Sequence, residues 1–547
     1  MTASPHDDLP RPAPTGRTWP ALLLVAVVAL AAYAPLLSGP FSPLDDILML
    51  QRNPRYTPPT WQSFRQHLTE PDFRIYVPLT SIVWHVIAVF SYDPDAYLGE
   101  LRPIGFKAAS ILAHAAAAAA AFWAALRLLR GRWLAALTAL LFAVHPIQVE
   151  AVGWTTGLKD VLCGLFMLLT FGAYLSFIET RRAKWLRRAV MLSVLAVLSK
   201  PTAITLPAIL IAVDLLLATR TLEKRIRVLW PFVAVAAVGA AVIIVVQGRP
   251  TVDVPPLLLR PLVAMDSLSF YIIKTIWPFG FSIDYGRTYA VIRGSGVLWW
   301  SWLLPLAAGV LVWLSRDKLI WLGAVIFVAP LTPVLGLVPF DMQQYSTVAD
   351  HYAYVPMFGA ALIAARVLSR VPRGAWPAAA VVCALCVLCV RQVWLWRDMT
   401  ALMQASRAVN PRSAMLVNNI SIIAFRNGDP AAAEQYARQA VEMAYNDATL
   451  DQLVVSLAAQ GKNAEAAEWA IRALDTPMEK LELPRVRWMF ELARTQNNLV
   501  LAEKALRRWI YMAPGDRFPK ERLAAIERLK HAAASQPAAK AEKKGTP

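Results

Sequence analysis

The chain has 547 residues, 57% hydrophobic and 17% charged, with 55 Lys and Arg against 37 Asp and Glu and a formal net charge of +18. Soluble domains are about half apolar and about a quarter charged, so this composition, with a mean hydropathy of +0.45, excludes an ordinary soluble enzyme and points to a polytopic membrane protein. In such a chain excess Lys and Arg mark cytoplasmic loops, and no nucleic-acid partner is expected.

Residues 1–18 are Pro-rich and polar and read as a disordered cytoplasmic N-terminus. The first span, about Trp19 to Leu37, follows Arg11 and Arg17 and is long enough for an uncleaved anchor, since crossing takes about 20 apolar residues. It leads outward into a loop, 38–103, that carries Asp45 and Asp46. Within that loop Tyr76 to Tyr92 is apolar but short and reads as an interfacial helix; its His85 reads as structural, as does His114 in the second span. Further spans are expected at about Ile104–Leu129 and Trp133–Val149, from Lys159 to Ile178, up to Ser199, up to Leu217, and at Val228–Val246. Their basic ends, such as Arg181–Arg188, alternate as the positive-inside bias requires.

The segment Met265 to Phe281 is apolar, but a crossing there would put Arg316 and Lys318 outside. It therefore reads as a second interfacial helix within an outer loop, 248–296. Spans at about Val297–Leu314, Leu319–Val338, Tyr354–Leu368 and Trp376–Trp396 complete a count of about eleven. The four cysteines lie in apolar runs and read as packing residues; no clear metal set appears.

After residue 397 the composition turns to Ala, Glu, Arg and Gln. The spacing A-x3-A-x2-A recurs at Ala401, Ala405 and Ala408, at Ala433, Ala437 and Ala440, and at Ala466, Ala470 and Ala473, with offsets of 32 and 33 residues. Gly428 and Gly461 stand five before the second and third copies. A helix–turn–helix repeat near 34 residues is tetratricopeptide-like. The repeat domain is expected over 398–531, on the outer side, with a disordered tail at 532–547; the plainer alternative is an irregular helical bundle.

Polar residues gather at the outer ends of the spans: Asp45 and Asp46, His145 and Glu150, Lys159 and Asp160, Lys200, Asp350 and His351. Charged groups at membrane depth are costly and mark a cavity or a path. Carboxylates there can take a proton from a hydroxyl, and cations can hold a phosphate leaving group. Each also has a plain reading. The aspartates can be a loop or a cap, His145-Pro146 a helix end, and Lys159-Asp160 an interfacial anchor.

The run LFAVHPIQVEAVGWTTGLKDVL, from Leu141 to Leu162, resembles the HP-x-x-x-EAV-x-W-x-x-x-x-KD segment of the transmembrane-and-tetratricopeptide O-mannosyltransferases and their bacterial relatives. Leu198-Ser199-Lys200-Pro201 with Thr205-Leu206-Pro207, Tyr271 with Trp277-Pro278 and Tyr285, and Ala349-Asp350-His351-Tyr352 with Tyr354 and Pro356 are similar to three further segments of that family. The chain departs from it at Val77, Lys107, Ser110 and His351.

The resemblance implies an all-α, polytopic GT-C membrane fold over 19–397 and an inverting glycosyltransferase of the inner membrane. It implies a polyprenyl-phosphate-linked sugar as donor, with no cofactor and no required metal. Asp45 or Asp46 would be the base. Lys159, Lys200 and Arg287 would hold the donor phosphate, while His145, Glu150, Asp160, Asp350, His351 and Tyr352 would line the donor and sugar site. The acceptor would be a protein hydroxyl, held by the repeats. A lipid or polysaccharide acceptor, or a membrane-anchored scaffold without catalysis, are the alternatives.

Overall fold

A computed structural model describes residues 17–95, 100–247, 255–475 and 483–534. The expected N-terminal tail up to residue 16, part of the outer loop at 248–254 and the tail from 535 lie outside them. Apart from a two-stranded ribbon, β1 (Tyr92–Asp93) on β2 (Glu100–Leu101), the regular structure described is helical.

The chain divides into two compact units, residues 1–410 and 411–547. The helices of the first are α1 (Trp19–Tyr33), α2 (Trp61–Thr69), α3 (Pro78–Ser91), α4 (Pro103–Leu129), α5 (Arg132–Ala143), α6 (Val149–Gly153), α7 (Leu158–Thr180), α8 (Ala183–Ser199) and α9 (Leu206–Leu217). They continue as α10 (Leu222–Gln247), α11 (Arg260–Ile276), α12 (Tyr289–Gly294), α13 (Leu303–Ser315), α14 (Lys318–Val328), α15 (Pro356–Leu368), α16 (Ala375–Arg397) and α17 (Met399–Val409). At the centre α7, most of whose residues are buried, packs against α4 and α8. At the periphery α10 and α13 leave large apolar side chains such as Val245 and Leu311 exposed, as lipid-facing helices do.

Among the described residues, six segments are long and apolar enough to cross a membrane: Trp19–Ser38, Pro103–Leu129, Thr155–Thr180, Leu222–Val246, Val297–Ser315 and Ala375–Arg397. A seventh exists if α5 and the Pro146–Gly153 segment, bent by 52°, are one span. The count of about eleven is therefore not reached by length. The other four expected spans fall on α8, α9, α14 and α15. Three of these join 3₁₀ turns or begin at proline: Pro201–Thr205 precedes α9, Ala329–Val334 follows α14, and Pro356 opens α15. Proline lacks a backbone N–H and interrupts the i→i−4 ladder, so a continuous apolar stretch in the sequence becomes a short helix with a turn. Such breaks are tolerated at membrane depth only inside protein or along a cavity.

The segment before α3 packs around aromatic rings. Tyr56 stacks on His67 with centroids 4.7 Å apart, and His67 meets His85 at 5.3 Å. Both ring nitrogens of His67 are buried without a hydrogen-bond partner among the described residues, and burial pushes its imidazole from 6.5 down to about 4. Between these values the unfolded chain binds a proton that the folded chain refuses. Stability is thus complete above pH 6.5 and falls as pH drops toward 4. Thermal unfolding at pH 7 and pH 5 should show this loss, and His67→Phe, which keeps the stacking, should reduce it. An identical pH dependence in the variant would assign the loss to other groups.

The second unit contains α18 (Ala414–Arg426), α19 (Pro430–Met443), α20 (Asp447–Ala458), α21 (Asn463–Asp475), α22 (Leu483–Thr495), α23 (Leu499–Met512) and α24 (Arg517–Ala534). Ala433, Ala437 and Ala440 of α19 and Ala466, Ala470 and Ala473 of α21 are all wholly buried, packed where the helices of a pair meet. Gly428 (φ 81°) and Gly461 (φ 73°) terminate α18 and α20 in the left-handed conformation that only glycine adopts without strain. The first set of alanines differs. It lies in α17, within the first unit, and the residues buried there are Met399, Leu402, Met403 and Ser406, while Ala408 is exposed. Ala470→Leu should overpack the α20–α21 contact and cost about 1–3 kcal/mol, whereas Ala408→Leu should leave thermal unfolding unchanged. Equal melting of both variants would show that the α21 contact is loose.

Candidate active site

The site begins in the loop after α1. The chain leaves a 3₁₀ turn at Ala34–Ser38, passes Asp45 and Asp46, and winds into a wide π turn at Ile47–Gln51. The two aspartates part company there. Asp46 is wholly buried. Its Oδ2 accepts the Ser42 N–H at 2.9 Å and the Thr155 N–H at 3.4 Å, and its Oδ1 accepts the Thr156 N–H at 2.9 Å. These charge-assisted bonds clamp the loop after α1 to the turn between α6 and α7. Lys107 of α4, also wholly buried, donates to the Gly153 carbonyl at 2.5 Å and lies within electrostatic reach of Asp46. Asp45 is exposed, and its charge is felt at Lys159 and at the Tyr352 phenol.

The α5–α6 break supplies the next residues. His145 is buried; its Nδ1 accepts the Ile147 N–H at 3.3 Å and its Nε2 donates to the Thr275 carbonyl at 3.2 Å. One ring nitrogen thus caps the turn within the break and the other ties the break to the end of α11. Gln148 reinforces the break by donating to the Phe142 and Tyr354 carbonyls, each at 3.2 Å. Two residues on, the Glu150 carboxylate is hydrogen-bonded to His351 Nδ1. Burial pushes the His351 imidazole down to about 3, so the ring is uncharged at neutral pH and one proton lies on that axis.

Lys159 and Asp160 open α7, where Asp160 forms an ion pair with Lys200, the residue between α8 and the 3₁₀ turn before α9. Lys200 also sits over the Tyr352 ring at 5.3 Å. Lys159 donates to the Thr156 carbonyl at 3.0 Å and lies 5.5 Å from the Trp154 ring centre. Asp160, Lys200, His351 and Tyr352 line one small cavity. Asp350 accepts the Tyr285 hydroxyl at 2.8 Å, and burial pushes its carboxyl up to about 7. Tyr271 Oη donates to the Ala349 carbonyl at 3.1 Å and accepts the Ala349 N–H at 3.2 Å, fixing this segment from α11.

Most of the residues expected at the site therefore converge. Glu150, Lys159, Asp160, Lys200, Asp350, His351 and Tyr352 form one electrostatically linked group, in which Lys159 and Tyr352 feel the charge of Asp45. His145 turns away toward α11. Arg287 is engaged elsewhere, giving both Asp266 carboxylate oxygens a bond of 2.7 Å, while its carbonyl accepts the N–H and the hydroxyl of Thr347 at 2.9 Å each.

Lys274 was not anticipated. It donates to the Phe279 and Gly280 carbonyls at 2.6 Å each, lies about equally near the rings of Phe270, Phe281 and Tyr285, and acts electrostatically between Asp350 and Arg287. Lys274 is the one cation in the largely apolar stretch 265–281, and that is the sequence signal that would have flagged it. Lys107, near the start of α4 and 20 residues from Arg127, carries the same signal.

Chemically, the group offers an exposed carboxylate beside lysines held by carbonyl, ring and carboxylate contacts. That set can accept a proton and stabilise a departing anion.

Sequence comparison is consistent with this arrangement. The model of the dolichyl-phosphate-mannose-protein mannosyltransferases matches residues 105–247, and a tetratricopeptide-repeat model matches 413–444. The mouse protein O-mannosyl-transferase TMTC1 is 27% identical over 224 residues, 37% of this chain and 23% of that protein. Human TMTC4 is 30% identical over 151 residues, 24% and 20% of the two chains. The Drosophila melanogaster Tmtc1 is 31% identical over 122 residues, 22% and 14% of the two. The matched part thus spans less than a quarter of each relative's length. Together the two family models and these similarities make the chain a relative of the transmembrane-and-tetratricopeptide O-mannosyltransferases.

Proposed function

We propose that the chain is an integral-membrane O-glycosyltransferase that moves a sugar from a polyprenyl-phosphate donor to a hydroxyl of a protein acceptor on the outer face of the inner membrane. The observation that carries this reading is the convergence of Glu150, Lys159, Asp160, Lys200, Asp350 and His351, drawn from separate segments, into one group in which Lys159 feels the charge of Asp45. Relatives named protein O-mannosyl-transferases support the reaction class.

In the proposed step Asp45 takes the proton of the acceptor hydroxyl as its oxygen attacks the anomeric carbon. The bond from that carbon to the phosphate oxygen breaks on the opposite face, so configuration inverts. The polyprenyl phosphate leaves with the bonding electron pair. Lys159 and Lys200 stabilise the charge that develops on it; donor phosphate draws Lys200 partly from Asp160. Glu150, through His351, and Asp350, through Tyr285, set the orientation of sugar hydroxyls. Asp46 and Lys107 hold the loop that presents Asp45. The repeat unit binds the acceptor chain and raises its effective concentration at the enzyme.

The full chain in vesicles, given a radiolabelled polyprenyl-phosphate-linked sugar and envelope extract, should label protein in a form released by β-elimination. Label confined to lipid or polysaccharide would move the acceptor to those classes. No label in any fraction, with several donor sugars, would leave the scaffold reading.

A further inference from the structure

The ends of α4 and α7 remote from the active site enclose a second cavity. Arg127, Arg130, Glu179, Arg181 and Lys318 line it, together with the leucines at 215–217. Arg127 is paired with Glu179. Arg130, Arg181 and Lys318 have no ion pair among the described residues. Arg130 (φ 57°) and Arg181 (φ 56°) are the residues at which the chain turns out of α4 and α7. Arg316 (φ 49°) does the same after α13, and with Lys318, Trp313 and Trp321 it lines an adjoining hollow.

The depth of this cavity follows from helix geometry. On α4, Lys107 at the active-site end and Arg127 here are separated by 20 residues, about 30 Å at 1.5 Å per residue. On α7, Asp160 and Glu179 are separated by 19 residues, about 28 Å. A bilayer hydrocarbon core is about 30 Å thick. The cavity therefore lies at the membrane–water interface opposite the active site, whichever way the chain is oriented. Exposed Trp313 and Trp321 in the adjoining hollow suit that level.

We propose that this cavity binds the phosphate headgroup of an anionic phospholipid from the leaflet opposite the active site. Glu179 occupies one side of Arg127, so the phosphate falls to Arg130, Arg181 and Lys318. Guanidinium groups match phosphate oxygens in pairs, and basic pockets between membrane helices take anionic headgroups. The leucine wall meets the first methylenes of the acyl chains. Free phosphate has the same charge chemistry but no use for that wall. A lipid so bound joins α4, α7 and α14 where Arg130, Arg181 and Lys318 gather positive charge beside the Arg127–Glu179 pair.

The test is native mass spectrometry of the delipidated full chain, titrated with phosphatidylglycerol, phosphatidylcholine or inorganic phosphate. Phosphatidylglycerol should be retained in preference to phosphatidylcholine. Arg130→Gln, Arg181→Gln and Lys318→Gln should each weaken its binding about five-fold, and the triple variant about a hundred-fold. Arg187→Gln, at an exposed position of α8 outside the cavity, should bind as the parent does. Equal retention of the two lipids, unchanged binding by the triple variant, or an equal loss from Arg187→Gln would overturn the site. Thermal protection by inorganic phosphate equal to that by phosphatidylglycerol would overturn the lipid as occupant. If the triple variant loses helical circular dichroism, the single variants decide.

Discussion

Asp45→Asn should lower the rate of sugar transfer by about 10²- to 10⁴-fold, the usual worth of a positioned general base, while the chain keeps the thermal stability of the parent. The side chain is exposed beside a buried neighbour and acts electrostatically on Lys159 and Tyr352. Asparagine matches aspartate in size but cannot accept the acceptor proton. The measurement is the initial rate of label transfer with saturating donor, taken together with a melting curve. A rate within a small factor of the parent's would place the base elsewhere. Glu150 would then be the next carboxylate to test.

Asp46→Asn should act through the fold. We expect a loss of roughly 3–5 kcal/mol, the range for removing one partner from a buried charged group. The carboxylate accepts backbone N–H groups from Ser42, Thr155 and Thr156. An asparagine turns one of its two acceptor oxygens into a donor that faces another donor, and Lys107 loses a buried charge within reach. The expected readout is a lower melting temperature, with transfer activity lost in parallel as the loop detaches. Parent-like melting of Asp46→Asn together with collapse of Asp45→Asn would reverse the two roles.

The two variants together separate base from clamp, which adjacency in the sequence leaves open. They also bear on what the buried lysine inside α4 does. Lys107 is wholly buried and bonded to the Gly153 carbonyl, so it braces the segment that Asp46 clamps. A polar side chain at this depth is costly unless it is paired; here the hydrogen-bond acceptor is Gly153, at the end of α6, and the nearby carboxylate is Asp46, in the loop after α1.

The elements themselves were legible because their signals are local. Each expected span contains helix, since apolar runs can satisfy their backbone bonds at membrane depth only that way, but α8, α9, α14 and α15 are too short to count as spans by length. The alanines of α19 and α21 were legible because close helix contacts admit only small side chains. The collection of charges at the ends of the spans was legible because ionisable groups at that depth are rare unless used.

What the tertiary structure alone decided depends on contacts between distant parts of the chain. Hydropathy sees a continuous span where α5 breaks at His145-Pro146, because a bend leaves composition unchanged. The alanines of α17 match the spacing but lie on a helix that buries Leu402 and Met403 instead. His145 and Arg287 have residue types suited to a donor site, yet Thr275 and Asp266 engage them. The pairs Glu150–His351 and Asp160–Lys200 are separated by 201 and 40 residues, and no local pattern encodes such partnerships. The sequence by itself determined the helices, the repeat and the inventory of charged groups, because hydrophobic period and the cost of buried charge act residue by residue. Only the folded chain decided which carboxylate is clamped and which is exposed, because that rests on backbone N–H groups more than a hundred residues away.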